Sequence, residues 1–181
     1  MISILYWNCR VNNSSKRVLS DLCCSHRPSL VCISELMVAF DSISARFWSS
    51  LCLHLVGMND RGGLIPSIWV FAFDSISDPQ IVLCRKQYLT VSISIDSLMH
   101  WYTIIYASTS ASVRRVLWHS LREMAGSFSS SWLVVGDINE VLGAHECLGS
   151  RSPARGSCEN FKSMIEDCNL ISVRSQSAHF T

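Results

Sequence analysis

The chain has 181 residues, 49% of them hydrophobic and 16% charged, with a formal net charge of +1. That length suits one domain with a sizeable core, and the balanced charge gives no global drive toward nucleic acid. No apolar run nears the ~20 residues of a membrane span. The opening Met1-Ile2-Ser3-Ile4-Leu5-Tyr6-Trp7-Asn8 lacks the basic segment and cleavage site of a secretory signal. An intracellular protein is expected, with the nucleus open to it. Nine cysteines occur without any Cys-x-x-Cys pair, so free thiols in a reducing compartment are expected, with no disulfide partner and no zinc site.

Residues 2–7 read as a strand ending at Asn8. Ser14 or Ser15 then caps a helix whose apolar face is Val18, Leu19, Leu22 and Cys23, and Pro28 blocks its continuation. Residues 30–34 form a second strand ending at Glu35, and Phe40, Ile43 and Phe47 have helical spacing. Residues 67–73 read as strand. In 88–95, Val91, Ile93 and Ile95 alternate with Ser92 and Ser94, the pattern of a half-buried strand. Residues 101–107 are β-branched and aromatic, and Val113, Val116, Leu117, Leu121 and Met124 mark a third helix. Residues 132–135 run as strand into Gly136-Asp137, and Cys158, Phe161, Ile165 and Cys168 form a fourth helix after Ser157. This order predicts mixed sheets covered by helices, an α/β (α+β) layered sandwich. With no internal repeat and no long linker, residues 1–181 are expected to form one domain.

Three apolar strands thus end in Asn8, Glu35 and Asp137, with Asn139 two residues further on. Strand ends are where α/β folds gather their sites. A hard cation such as Mg²⁺ takes oxygen ligands, commonly one or two carboxylates plus water and substrate phosphate. Each residue also has an ordinary reading: Asn8 as a turn residue, Glu35 as a surface carboxylate, Gly136-Asp137 as a turn dipeptide. The basic residues include two small groups, Arg114-Arg115 and Arg151 with Arg155. Arginine suits phosphate contact, against the alternative of a solvated surface.

The combination is more specific than its parts. Trp7-Asn8-Cys9-Arg10 resembles the Trp-Asn-Cys-Arg-Gly opening of plant LINE-type endonuclease domains. His26-Arg27-Pro28 and Leu30-Val31-Cys32-Ile33-Ser34-Glu35 resemble their second strand with its metal-binding glutamate. Gly62-Gly63-Leu64, Tyr102-Thr103-Ile104-Ile105-Tyr106-Ala107-Ser108, Arg114-Arg115-Val116-Leu117-Trp118 and Trp132-Leu133-Val134-Val135-Gly136-Asp137-Ile138-Asn139 follow in the family's order, and the match runs to His179-Phe180-Thr181. The resemblance is to the endonuclease/exonuclease/phosphatase (AP-endonuclease-like) domains of these retrotransposons. It implies a four-layer α/β sandwich of the DNase I-like type that hydrolyses phosphodiesters with Mg²⁺ or Mn²⁺ and takes DNA as its partner. It implies Glu35 as principal metal ligand assisted by Asn8, and Tyr106 beside the phosphate. Asp137 would handle the attacking water, and Asn139 would bond the phosphate. Arg114, Arg115, Arg151 and Arg155 would follow a DNA backbone.

The sequence departs from the family in places. Val11 stands for glycine, Leu36 for threonine and Ile138 for phenylalanine. No Asp-His pair occurs anywhere, whereas the family places a histidine on the scissile phosphate in a Ser-Asp-His segment; His145 and His179 do not match it, and His26 precedes Pro28 in a loop with no evident partner. The expectation is therefore a C-terminally truncated domain lacking the last strands, with impaired activity and exposed apolar edges. The competing readings are an inactive retroelement remnant and a small-molecule phosphatase.

Overall fold

In the computed structural model, which describes residues 2–76, 78–143, 146 and 154–173, the chain divides into two compact units. One comprises Met1–Tyr106 and Ser130–Asp137, the other Ala107–Ser129 and Ile138–Thr181.

The first unit is built on Leu30–Ser34 (β2), whose five residues are all buried. A continuous apolar run of this kind requires cover on both faces. Ile4–Asn8 (β1) pairs with it in parallel, Ile68–Phe73 (β4) pairs antiparallel on its other side, and Leu53–Met58 (β3) closes the sheet in the order β1-β2-β4-β3. A second sheet holds Gln80–Arg85 (β5), Tyr88–Ile95 (β6), Leu98–Tyr106 (β7) and Trp132–Asp137 (β8) in that order, with only β7 and β8 parallel. Alternate β2 residues serve two cores. Val31 and Ile33 pack with Trp69, Phe71, Leu19 and Cys23 of Asn13–His26 (α1), and Trp48 of Ala45–Ser50 (α2). Leu30 and Cys32 pack with Val70, Leu89, Val91 and Ile104 between the sheets. Helices, sheet and sheet give this unit three layers.

The second unit contains Ala111–Ser127 (α3) and Arg155–Asp167 (α4), joined by Trp118 stacked on Phe161 at 5.2 Å and by Arg122 Nε on Asp167 Oδ2 at 2.6 Å. Cys9, Cys23, Cys24, Cys32, Cys52, Cys84 and Cys168 are free: Cys32 lies fully buried between the sheets, while Cys24 and Cys52 are exposed. Among the described residues no helix is long and apolar enough to cross a membrane.

Several local expectations are corrected. The α1 cap is Asn12, whose side chain accepts the Ser15 N–H at 2.9 Å while Ser15 Oγ accepts the Asn12 N–H, a capping box displaced from Ser14 and Ser15. Phe40, Ile43 and Phe47 do not share one helix: a 3₁₀ turn at Phe40–Ser42 is followed by α2, and Ser44 caps α2 by accepting the Arg46 N–H. Strands β3 and β5 escaped the alternation test because each carries a register shift, at Leu55/Gly57 and Ile81/Leu83, and a bulge breaks period two. Strand β6 is buried on both faces through Ile93, the Thr90 and Thr103 hydroxyls pairing at 3.0 Å. On α3, Val113 and Val116 are exposed; the buried stripe is Arg114, Leu117, Trp118, Leu121 and Met124.

Candidate active site

Parallel pairing brings the ends of β1 and β2 side by side, Asn8 opposite Ser34, with Glu35 next in the chain. In the second sheet β8 ends with Asp137 opposite Tyr106. The two sheets meet at these ends: Asn8 Nδ2 donates to Asp137 Oδ2 at 2.7 Å. Glu35 lies beside them, its Oε1 3.6 Å from Arg10 Nε, with the arginine 74% and the glutamate 31% exposed. Burial raises the Tyr106 phenol above its ordinary value; the Glu35 and Asp137 carboxylates raise it further, and Arg61 and Arg10 oppose them. The Cys9 thiol is pushed up to about 11 by burial and by the Glu35 carboxylate. Asn8, Glu35, Tyr106 and Asp137 therefore share one electrostatic neighbourhood with Arg10 and Arg61.

The backbone shaping this place is unusual. Glu35 has φ +60°. Left-handed backbone is uncommon outside glycine, costs of order 1 kcal/mol or more and collects at functional sites. Gly136 has φ +150°, and a Cβ there would lie 2.0 Å from the Ile105 carbonyl oxygen. Only glycine lets β8 run this close to β7 immediately before Asp137.

Asn139 belongs to the second unit, where its Nδ2 donates to the Ala107 carbonyl at 2.7 Å. Arg114 is not placed to follow a nucleic-acid backbone. It is buried on α3, its NH1 donating to the Ser108 and Thr109 carbonyls at 2.9 and 2.8 Å and its NH2 to Glu140 Oε2 at 2.6 Å. A charge so buried requires partners, and these consume it. Arg115 is exposed on α3; Arg155 is exposed at the start of α4, its Nε 2.9 Å from Glu159 Oε1. Arg151, His145 and His179 lie outside the described residues.

Sequence reading gave no role to Tyr6. Its hydroxyl accepts the Asp137 N–H at 2.8 Å and lies 2.6 Å from Ser34 Oγ. Period two in β1 held the signal: Ile4 and Tyr6 face the second sheet while Leu5 and Trp7 face the helices, so Asn8 falls on Tyr6's side.

Two carboxylates and an amide oxygen fit a hard divalent cation that keeps several waters. Among the described residues no group of three or more His, Cys, Asp or Glu side chains gathers that could hold a metal ion, so a cation here would rest on fewer carboxylates, with the Asn8 amide and water completing its shell.

No family model and no curated protein matches the sequence. Solved structures do match in shape. A 3′ phosphatase from Neisseria, bound to a product DNA hairpin, superposes with TM-score 0.70 at 12% identity, over 92% of this chain and 71% of that one. An AP endonuclease from Archaeoglobus fulgidus gives 0.67 at 13%, over 92% and 70%. The endonuclease domain of TRAS1, a telomere-specific non-LTR retrotransposon, gives 0.67 at 10%, over 92% and 72%. The fold is DNase I-like. In the DNase I-like sandwich of this chain, the paired sheets carry Asn8 and Glu35 on one sheet and Tyr106 and Asp137 on the other.

Proposed function

We propose that this chain carries the metal-binding part of a DNA-cleaving phosphodiesterase centre. The observation that supports it most is the Asn8–Asp137 hydrogen bond of 2.7 Å across the two sheets, with Glu35 alongside. The DNA-processing nucleases that share the fold supply the substrate class. The Trp7-Asn8-Cys9-Arg10 and Gly136-Asp137-Ile138-Asn139 motifs favour an origin in a plant LINE-type element.

In this reading Glu35 is the principal ligand of Mg²⁺ or Mn²⁺, assisted by Asn8. The cation, when bound, supplies charge stabilisation at the phosphoryl and leaving oxygens. Asp137, its Oδ2 held by the Asn8 amide, takes a proton from the attacking water. Tyr106 keeps its proton at neutral pH and so donates to a phosphate oxygen. Asn139 bonds the phosphate, as the motif implies. Arg115, Arg151 and Arg155 remain candidates for the DNA backbone. Because the sequence holds no Asp-His pair, the chain by itself is expected to cleave slowly, a positioned acid/base being worth about 10²- to 10⁴-fold.

Mn²⁺ titration followed by electron paramagnetic resonance tests the metal site, with plasmid nicking in Mg²⁺ as a second readout. Glu35→Gln should weaken binding by at least the ~10- to 100-fold typical of lost coordination support. Arg10→Ala should tighten it, by roughly fivefold at most, since an exposed ion pair is worth up to about 1 kcal/mol. Equal Mn²⁺ affinity in the wild type and Glu35→Gln would overturn the reading. Binding without any nicking would favour the inactive remnant.

A further inference from the structure

We infer that Tyr6 is a positioning residue that sets Asp137 against Asn8 by holding the Asp137 backbone. Its meaning for cleavage rests on the function proposed above; the geometry does not. One phenolic oxygen joins four strands. It belongs to β1, lies 2.6 Å from Ser34 Oγ of β2, accepts the Asp137 N–H of β8 at 2.8 Å and lies 3.4 Å from the Ile105 carbonyl of β7. The Asp137 N–H to Tyr6 bond lies outside the β7–β8 ladder and crosses between the sheets. The phenol has one proton and two lone pairs. One lone pair receives the Asp137 N–H. The proton goes to a partner, for which Ser34 Oγ at 2.6 Å is far better placed than Ile105 at 3.4 Å. Ser34 is fully buried, so this hydroxyl pair stands on fixed ground.

Gly136 frees the chain to enter Asp137 at φ +150°, a conformation that does not by itself fix where the next carboxylate points. Two bonds then restrain Asp137 from the opposite sheet: Tyr6 holds its amide and Asn8 holds its carboxylate. Both come from one face of β1, two residues apart. The ordinary alternative is a core tyrosine that merely satisfies its hydroxyl. In that case removing the oxygen would leave the Asn8–Asp137 contact as it is.

Tyr6→Phe keeps the ring and its packing and removes only the oxygen. Backbone hydrogen exchange and ¹⁵N-resolved spectra of the whole chain, recorded without metal or substrate, read the result. In Tyr6→Phe the Asp137 amide should exchange about tenfold faster, the order expected for one lost hydrogen bond. The Asn8 side-chain amide resonances should move toward solvent-exposed values, while core amides of β6 keep wild-type exchange. Ser34→Ala, which spares the Tyr6–Asp137 bond, should leave the Asp137 amide protected. An Asp137 amide or Asn8 side chain unchanged in Tyr6→Phe overturns the inference, as does a uniform rise in exchange across both sheets, which would make the role purely structural. Failure of the metal-site reading shows separately, as loss of Mn²⁺ binding in the wild type.

Discussion

Gly136→Ala should unfold the protein at markedly lower temperature and displace the Asp137 carboxylate. The added Cβ would meet the Ile105 carbonyl oxygen at 2.0 Å and its C and N atoms at 2.7 Å. These are backbone atoms of the paired strand β7, so no rotamer change relieves the clash. The backbone at φ +150° is also one that alanine avoids. Strain of about 1–3 kcal/mol adds to an overpacking cost of about 1–3 kcal/mol. A melting temperature lower by roughly 5–20 °C follows for a chain of this size, read by circular dichroism. The residual folded population should also bind Mn²⁺ differently, because strand β8 must slide or twist where it delivers Asp137. An unchanged melting temperature would show that β8 can give way, and would remove the reason for glycine at this place.

Arg114→Leu should be nearly as damaging, through the second unit. The Arg114 and Glu140 side chains are each only 6% exposed and meet at 2.6 Å. Ser157 Oγ donates to the same Glu140 oxygen and also accepts from Arg114. Removing one member of a buried pair strands the other, at a cost of about 3–5 kcal/mol. The pH dependence has a definite sign. Burial by itself would raise the Glu140 carboxyl. Hydrogen bonds from Ser157 and Arg114, the Val141 N–H and the Arg114 charge outweigh it and hold the carboxyl below its ordinary value. A folded value below the unfolded one means stabilisation that is present above the unfolded pKa of about 4.3. It is lost as pH falls through the folded value. Urea unfolding at neutral and acid pH should therefore show the Arg114→Leu deficit large at pH 7 and shrinking toward pH 4. Pairing it with Glu140→Leu should recover much of the loss. A deficit equal at both pH values, or restored by neither change, would refute this account. The same cluster bears on Asn139: Arg114 grips the Ser108 and Thr109 carbonyls next to Ala107, which Asn139 uses, and Glu140 follows Asn139 directly.

The fate of Arg114 shows where sequence reasoning stops. Beside Arg115 it reads as a surface pair. Helical phase places it in line with Leu117, Trp118 and Leu121, and a buried arginine becomes legible only once a partner 26 residues away is known. The strand ends at Asn8, Glu35 and Asp137 were legible, because buried strands announce themselves as apolar runs and their terminal polar residues stand out. That Asn8 reaches Asp137 was not, since alternation assigns faces within a strand but says nothing of which sheet a face meets. Tyr6 hid for the same reason: a tyrosine in an apolar run counts as core until its hydroxyl has a destination. Strands β3 and β5 were lost to their bulges, and the α1 cap moved to Asn12 because a capping box is defined by a reciprocal pair, not by one serine.

The thiol of Cys32 has a use in this setting. It is enclosed between the two sheets, and burial drives its ionisation well above the ordinary range, whereas Cys24 and Cys52 lie at the surface. An alkylating dye would tag the two outer sulfurs at once and reach the inner one only when the sheets part. Peptide mapping separates Cys32 from the other buried cysteines, Cys23, Cys158 and Cys168, and its labelling rate would then clock how often the sandwich breathes open.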